Sequence, residues 1–329
     1  TEVILEVVDF HDNTATITIP VTYEPPSPLA VTVTGPAEGR GETAIECLGE
    51  YLVVTVRFTA TEPEPPEGII ECDQDIVRLA FVRVNGSTYR AGWKPTVSGR
   101  QVLRVHHPRA KTFTREFAAF VRGTRADVQL GEVTVGAERD SAYGALFVGA
   151  DRVENDGPKP TGLRRVGPVY RLWPEDIPVD AAIRVMVPQP PGLDTRKGTV
   201  YRAGGGSWSR EGAEFSNGLA TVKTRRLGLF GFLEDTTPPA VSDVTPGADA
   251  TLETRHPRIT AAISDRGSGI RDYEVTCGEQ WLLTAYDPDQ GRISWERDED
   301  LPAGKQEFVI RVTDNAGNET RVTRAVTVP

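Results

Sequence analysis

The sequence predicts an all-β protein built as tandem immunoglobulin-like β-sandwich domains, and three observations carry that expectation. Short runs of alternating apolar and polar residues, rich in Val and Thr, recur along the whole chain. Gly (32) and Pro (25) punctuate these runs, which leaves little room for long helices. The two ends of the chain also share one pattern: VILEVVDFHDNTATITIPVTY from Val3 and FVIRVTDNAGNETRVTRAVTV from Phe308 each read as a hairpin, with every second side chain on one face.

A chain of 329 residues needs several cores, because one domain usually takes about 100–200 residues. The 38% hydrophobic and 26% charged content is that of an ordinary globular chain. A net charge of -10, with arginines scattered among acids, argues against a nucleic-acid partner, which would need clustered Lys and Arg. No run approaches the ~20 apolar residues of a membrane-crossing helix. The chain opens at Thr1 with neither an initiator Met nor a leader pattern, so it reads as a mature product or a fragment.

The first element, residues 1–23, is a hairpin. Val3, Leu5 and Val7 alternate before Asp9, a polar turn runs through His11, Asp12 and Asn13, and the return strand carries Ile17 and Ile19. It matches the end of a sandwich whose earlier strands are absent. A lone two-stranded hairpin is marginally stable, so it is expected to pack on an upstream domain, another subunit's sheet or a larger membrane complex. Residues 24–28 (Glu-Pro-Pro-Ser-Pro) form a stiff linker.

Residues 29–125 read as an Ig-like sandwich with strands near 30–34, 51–59, 76–84, 101–105 and 115–121, and an acidic, Pro-rich loop at 61–68. A second all-β domain spans 126–236, and its closing stretch sends Leu227 and Leu229 toward the core, with Phe230 and Phe232 as further candidates. The acidic, Pro-containing segment 234–239 is the next linker. Residues 237–329 form the C-terminal Ig-like sandwich, with strands near 259–264, 271–276, 281–286 and 292–295 before the closing hairpin. Cys47 and Cys72 fall in one expected domain, where a disulfide and two buried thiols are both open readings; Cys277 reads as a core filler.

Several turn and strand signatures resemble a known family. They are Asp235-Thr236-Thr237-Pro238-Pro239, Asp265-Arg266-Gly267-Ser268-Gly269-Ile270, Tyr286-Asp287-Pro288-Asp289, Leu301-Pro302-Ala303-Gly304 and Thr313-Asp314-Asn315-Ala316-Gly317-Asn318. These segments resemble the accessory C-terminal β-domains that follow the catalytic domain in bacterial lysostaphin-type (LytM-like) zinc peptidases. The stretches 169–175 and 198–208 resemble the neighbouring β-domain of those proteins, so the resemblance spans residues 24–329. It implies an envelope or secreted setting and does not imply protease activity.

The residues themselves assign no cofactor and no catalytic site. A lysostaphin-type zinc site needs a His followed four positions later by Asp, and a His-x-His pair. Here His11 is followed by Ala15 and His256 by Thr260 at that distance, and His106 and His107 are adjacent, which on a strand sends them to opposite faces. Asp298, Glu299 and Asp300 read as a solvated loop, and Gly204-Gly205-Gly206 as a hairpin turn lacking the Lys-Ser/Thr of a phosphate loop. Asp265 and Asp314 are weak calcium candidates at one end of the last domain, weighed against simple Asx-turns.

Asn85-Gly86-Ser87 and Asn318-Glu319-Thr320 fit the glycosylation pattern but read as turns. Trp93, Trp173, Trp208, Trp281 and Trp295 are each expected to anchor a core or junction. The function that follows is a non-catalytic extracytoplasmic scaffold binding a protein partner, including as an extrinsic subunit of an envelope or membrane complex. A targeting region of a cell-wall zinc endopeptidase and a carbohydrate-binding module are the alternatives.

Overall fold

The computed structural model describes residues 2–8, 14–20, 41–72, 75–154, 156–175, 177, 179–295 and 300–329, the first two stretches as backbone. Among these residues every regular element is a β-strand, as the alternating pattern requires. The chain divides into two compact units, Thr1–Thr96 with Gln101–Glu116 and Val97–Arg100 with Phe117–Pro329.

In the first unit, Glu2–Val8 pairs antiparallel with Thr14–Pro20, in a register that sets Val3 opposite Ile19 and Leu5 opposite Ile17. The expected turn at 11–13, the linker 24–28 and the expected strand 30–34 lie outside the described residues. A four-stranded sheet follows, in the order Gly41–Leu48, Tyr51–Phe58, Thr88–Trp93, Val82–Asn85. Glu67–Cys72 belongs to another sheet, where it pairs with Asp75–Arg78 on one side and with residues 101–106 on the other. Inward residues alternate along these strands: Leu52, Val54 and Val56 on one, Leu103 and Val105 on another, all buried.

The run expected as a single strand at 76–84 is two. Asp75–Arg78 and Val82–Asn85 are edge strands of different sheets, and the chain crosses between them over Leu79, whose amide donates to Gly68 O (2.8 Å). The apolar run is continuous because the crossing residues Leu79 and Phe81 pack close to Gly68, where a Cβ would meet Phe81 at 2.7 Å and Leu79 at 3.1 Å. The C-terminal domain repeats this device. Residues 281–286 split into Gln280–Leu282 and Ala285–Asp287, again edge strands of two sheets.

Cys47 and Cys72 are both thiols, and no disulfide joins them. Burial pushes the Cys47 thiol up to about 12, which suppresses the thiolate that disulfide formation needs.

The second unit holds two cores. The first is built from Ala118 and Phe120 through Phe232, between a five-stranded sheet (Ala126–Leu130, Val133–Ala137, Ile183–Pro188, Leu219–Thr224, Glu214–Ser216) and a sheet that includes Ala145–Val153, Leu163–Trp173, Gly228–Asp235 and Gly198–Gly204. The unit begins earlier than the expected boundary at 125/126 because residues 118–121 pair with Ala145–Val153 and carry Ala118 and Phe120 into this core. The second core runs from Ile259 to Val328 around Trp295 and Phe308. Its closing hairpin, Gly304–Asp314 with Glu319–Val328, pairs in continuous antiparallel register, and Cys277 is buried within it.

Trp93, Trp173 and Trp295 are buried. Trp208 is half-buried, its indole N–H donating to Pro158 O (2.7 Å) and its ring lying under the Arg165 guanidinium. Trp281 departs from the expectation: it is 58% exposed, because it faces Thr276 on the outer side of an edge strand.

Gly149 faces Trp173 across a strand pair, and a Cβ there would lie 1.9 Å from the indole. Gly149→Ala is therefore expected to destabilise the second unit by about 1–3 kcal/mol, the usual cost of overpacking, seen as a lower urea midpoint with an unchanged slope.

Candidate functional site

Strand Gly228–Asp235 ends where the acidic linker begins, and its last residue is fully buried. Asp235 is bonded on every side. Its amide donates to Lys197 O (2.9 Å), Oδ1 accepts from Thr237 N (3.0 Å), and Oδ2 accepts from Ser268 N (2.6 Å). Its carbonyl accepts from Asn318 Nδ2 (3.0 Å). A residue of the middle domain is thereby tied to two loops of the last domain, 33 and 83 positions on. Gly267 has to lack a Cβ at this point, since one would sit 2.3 Å from Asp235 Oδ2.

The two loops bring the candidate residues Asp265 and Asp314 to the same place. Asp265 Oδ2 accepts from Gly267 N (3.1 Å) and Gly269 N (2.5 Å). Asp314 accepts from Asn318 N and Asn318 Nδ2, each at 2.8 Å, and Lys197 Nζ donates to Asn318 Oδ1. Each of Asp235, Asp265 and Asp314 offers a carboxylate oxygen, and these lie within 4.8 Å of one another. At an effective dielectric of 20, two charges that far apart repel by about 3 kcal/mol.

The electrostatics follow. Burial, then the charges of Asp235 and Asp314, hold the Asp265 carboxyl above its ordinary range against the Gly269 and Gly267 amides that lower it. Burial, then the same acids led by Asp235, push the Tyr201 phenol up.

This oxygen-rich set is of the kind that suits a hard cation, but calcium takes about six to eight oxygens. Both oxygens of Asp235 and of Asp314, and Oδ2 of Asp265, already accept hydrogen bonds. The arrangement works as a bolt: amide donors hold three acids at a domain seam, and Lys197 Nζ holds Asn318 beside them. Two further bonds fasten the linker, Thr237 Oγ1 to Gly162 O (3.1 Å) and Thr320 Oγ1 to Pro239 O (2.5 Å).

The remaining motifs are placed as follows. Asn318 is buried in the bolt, and the Asn85 sequon is a turn in which Ser87 N donates to Asn85 Oδ1 (2.9 Å). Gly205 and Gly206 form the hairpin turn joining Gly198–Gly204 to Ser207–Arg210. Asp300 pairs with Arg255 and His256, each at 3.1 Å, whereas Asp298 and Glu299 lie outside the described residues. His106 is exposed and His107 buried, on opposite faces. Nothing in the sequence marks Asp235 as a cluster member, because it sits in a linker motif 30 and 79 positions from Asp265 and Asp314. A second mixed cluster, Glu62, Glu64 and His107, also brings its ligand atoms within 4.8 Å of one another.

No protein-family model matches the chain, and no curated protein matches it. Among solved structures it is similar to a polysaccharide lyase at 8% identity and a TM-score of 0.20, over 80% of this chain. The alignment spans 39% of that structure's own length.

Asp314→Ala is expected to cost about 2–3 kcal/mol in urea unfolding, since it strips charge-assisted bonds from the buried Asn318. Asp265→Asn keeps an oxygen for the Gly267 and Gly269 amides and removes a charge. A raised carboxyl pKa in the folded state means that ionised Asp265 opposes folding at neutral pH and that protonating it favours folding as pH falls. The variant should therefore have a higher urea midpoint than wild type at pH 7, and the difference should shrink as pH drops through the carboxylate range.

Proposed function

We propose that this chain is a non-catalytic, extracytoplasmic multidomain β-sandwich scaffold that holds a protein partner, as a component of an envelope or membrane complex. The observation that carries the reading is the Asp235 bolt. Two sandwiches joined only by a proline-containing linker would swing freely, since inter-domain motion is the default for small contacts. Here directional hydrogen bonds, the two between the domains buried, tie linker and both domains together, and such rigidity serves a protein that presents surfaces at a set spacing. The extracytoplasmic setting rests on the resemblance of residues 24–329 to accessory domains of cell-wall zinc peptidases.

The N-terminal hairpin supports the same reading. Glu2–Val8 and Thr14–Pro20 form a sheet of two strands, which is marginal without further packing. Its alternating Val3, Leu5, Val7, Ile17 and Ile19 suit addition to a partner's sheet. No helix among the described residues is long and apolar enough to cross a membrane. Carbohydrate binding is a second reading, favoured by the exposed indole of Trp281.

The test is isolation from the native source with cross-linking and mass spectrometry. A stoichiometric partner whose cross-links fall within residues 1–23, and whose retention is lost on deleting them, is the expected result. A monodisperse lone monomer would refute the scaffold reading, and retention on a glycan array that Trp281→Ala abolishes would favour the second.

A further inference from the structure

The loop after strand Tyr51–Phe58 carries Glu62, which is 3% exposed, and strand Gly99–His107 ends on His107, equally buried. Polar side chains so deep are normally fully hydrogen-bonded. His107 Nδ1 accepts from Arg109 N (3.1 Å), whereas Nε2 has no hydrogen-bond partner and lies 4.0 Å from Glu62 Oε1. That gap is too long for a hydrogen bond. It is close to the spacing of two ligand atoms on one ion: with metal–nitrogen and metal–oxygen bonds of about 2.0–2.2 Å, a tetrahedral pair stands roughly 3.4 Å apart. Glu64 completes the group from the solvent side.

We propose that Glu62, Glu64 and His107 bind one divalent transition-metal ion, zinc being the ion that best suits an imidazole with two carboxylates. The surroundings are prepared for it. Glu62 O accepts from Arg83 Nη2 (2.7 Å) and from Tyr89 Oη (2.9 Å), and Glu62 N donates to Gly86 O (2.9 Å), so the loop cannot drift. The Phe58 ring packs on the imidazole at 4.6 Å between centroids. Glu62 Oε2 accepts from Arg109 Nη1 (3.1 Å), and the Arg109 side chain is 57% exposed, free to turn outward when a dication arrives.

Binding has a definite proton consequence. With Nδ1 accepting from the Arg109 amide, the neutral ring carries its proton on Nε2. The metal takes the Nε2 lone pair, the ring proton moves to Nδ1, and the Arg109 amide loses its acceptor, so the turn after His107 must shift. Ligating histidines usually donate from their second nitrogen, and that shift is what lets His107 do so. Filled, the site would clamp the 61–66 loop to the turn between strands Gly99–His107 and Ala110–Val121.

The test is calorimetric titration of the chelator-treated full chain with zinc chloride, alongside amide and imidazole NMR. Expected are one equivalent taken up, displacement of the His107 ring and Arg109 amide signals, and at least a tenfold weaker affinity in Glu64→Gln, an exposed substitution that leaves the core intact. His107→Gln should abolish uptake. No uptake by the wild type overturns the proposal, since it leaves water as what bridges the gap. Uptake that Glu64→Gln does not weaken overturns it equally, and places the ion elsewhere.

Discussion

Every second side chain of a strand must leave water if two sheets are to lie face to face. In this protein that constraint governs the polar clusters as well as the apolar cores. Leu103 and Val105 are inward residues of their strand, and the next inward position is His107. Phe308, Ile310 and Val312 are inward residues of theirs, and the next is Asp314. In each case the apolar row ends on a buried polar residue at the strand terminus, where the core closes and loop amides come within reach.

Burial at those termini costs free energy unless partners are found, and the two clusters meet the demand differently. At the domain seam the acids are met by amides from two loops, and burial, with the neighbouring acids, raises the Asp265 carboxyl above its ordinary range. Each carboxylate there holds a loop in place, so the electrostatic cost and the rigidity of the seam have one origin. Around His107 the demand is only half met: Nδ1 is satisfied and Nε2 is not. The metal site proposed above rests on that half-met group, whereas the acids at the seam are held by their own hydrogen bonds.

The hydrogen-bonded seam in the second unit is the feature on which the scaffold proposal rests. Loops at strand ends carry the distinguishing residues, while the sheets supply a frame to hold them. Trp281 shows how an aromatic residue can escape the core: it takes the outward position of an edge strand whose next residue, Leu282, points inward.

The alternating pattern alone determined that the chain is all-β, that its two end segments are hairpins, and that Trp295, Phe308 and Cys277 are core residues, because a period of two is a local property of a strand. The expected strand 101–105 stops short of His107, and Asp314 reads in the sequence only as a turn residue and weak calcium candidate, so their inward positions emerge with the sheets. What tertiary structure decided was company: that Asp235 meets Asp265 and Asp314, that Glu62 meets His107, and that Cys47 and Cys72 remain thiols. Those meetings depend on how loops far apart in sequence are folded against one another, and a local pattern holds no record of the distance between them.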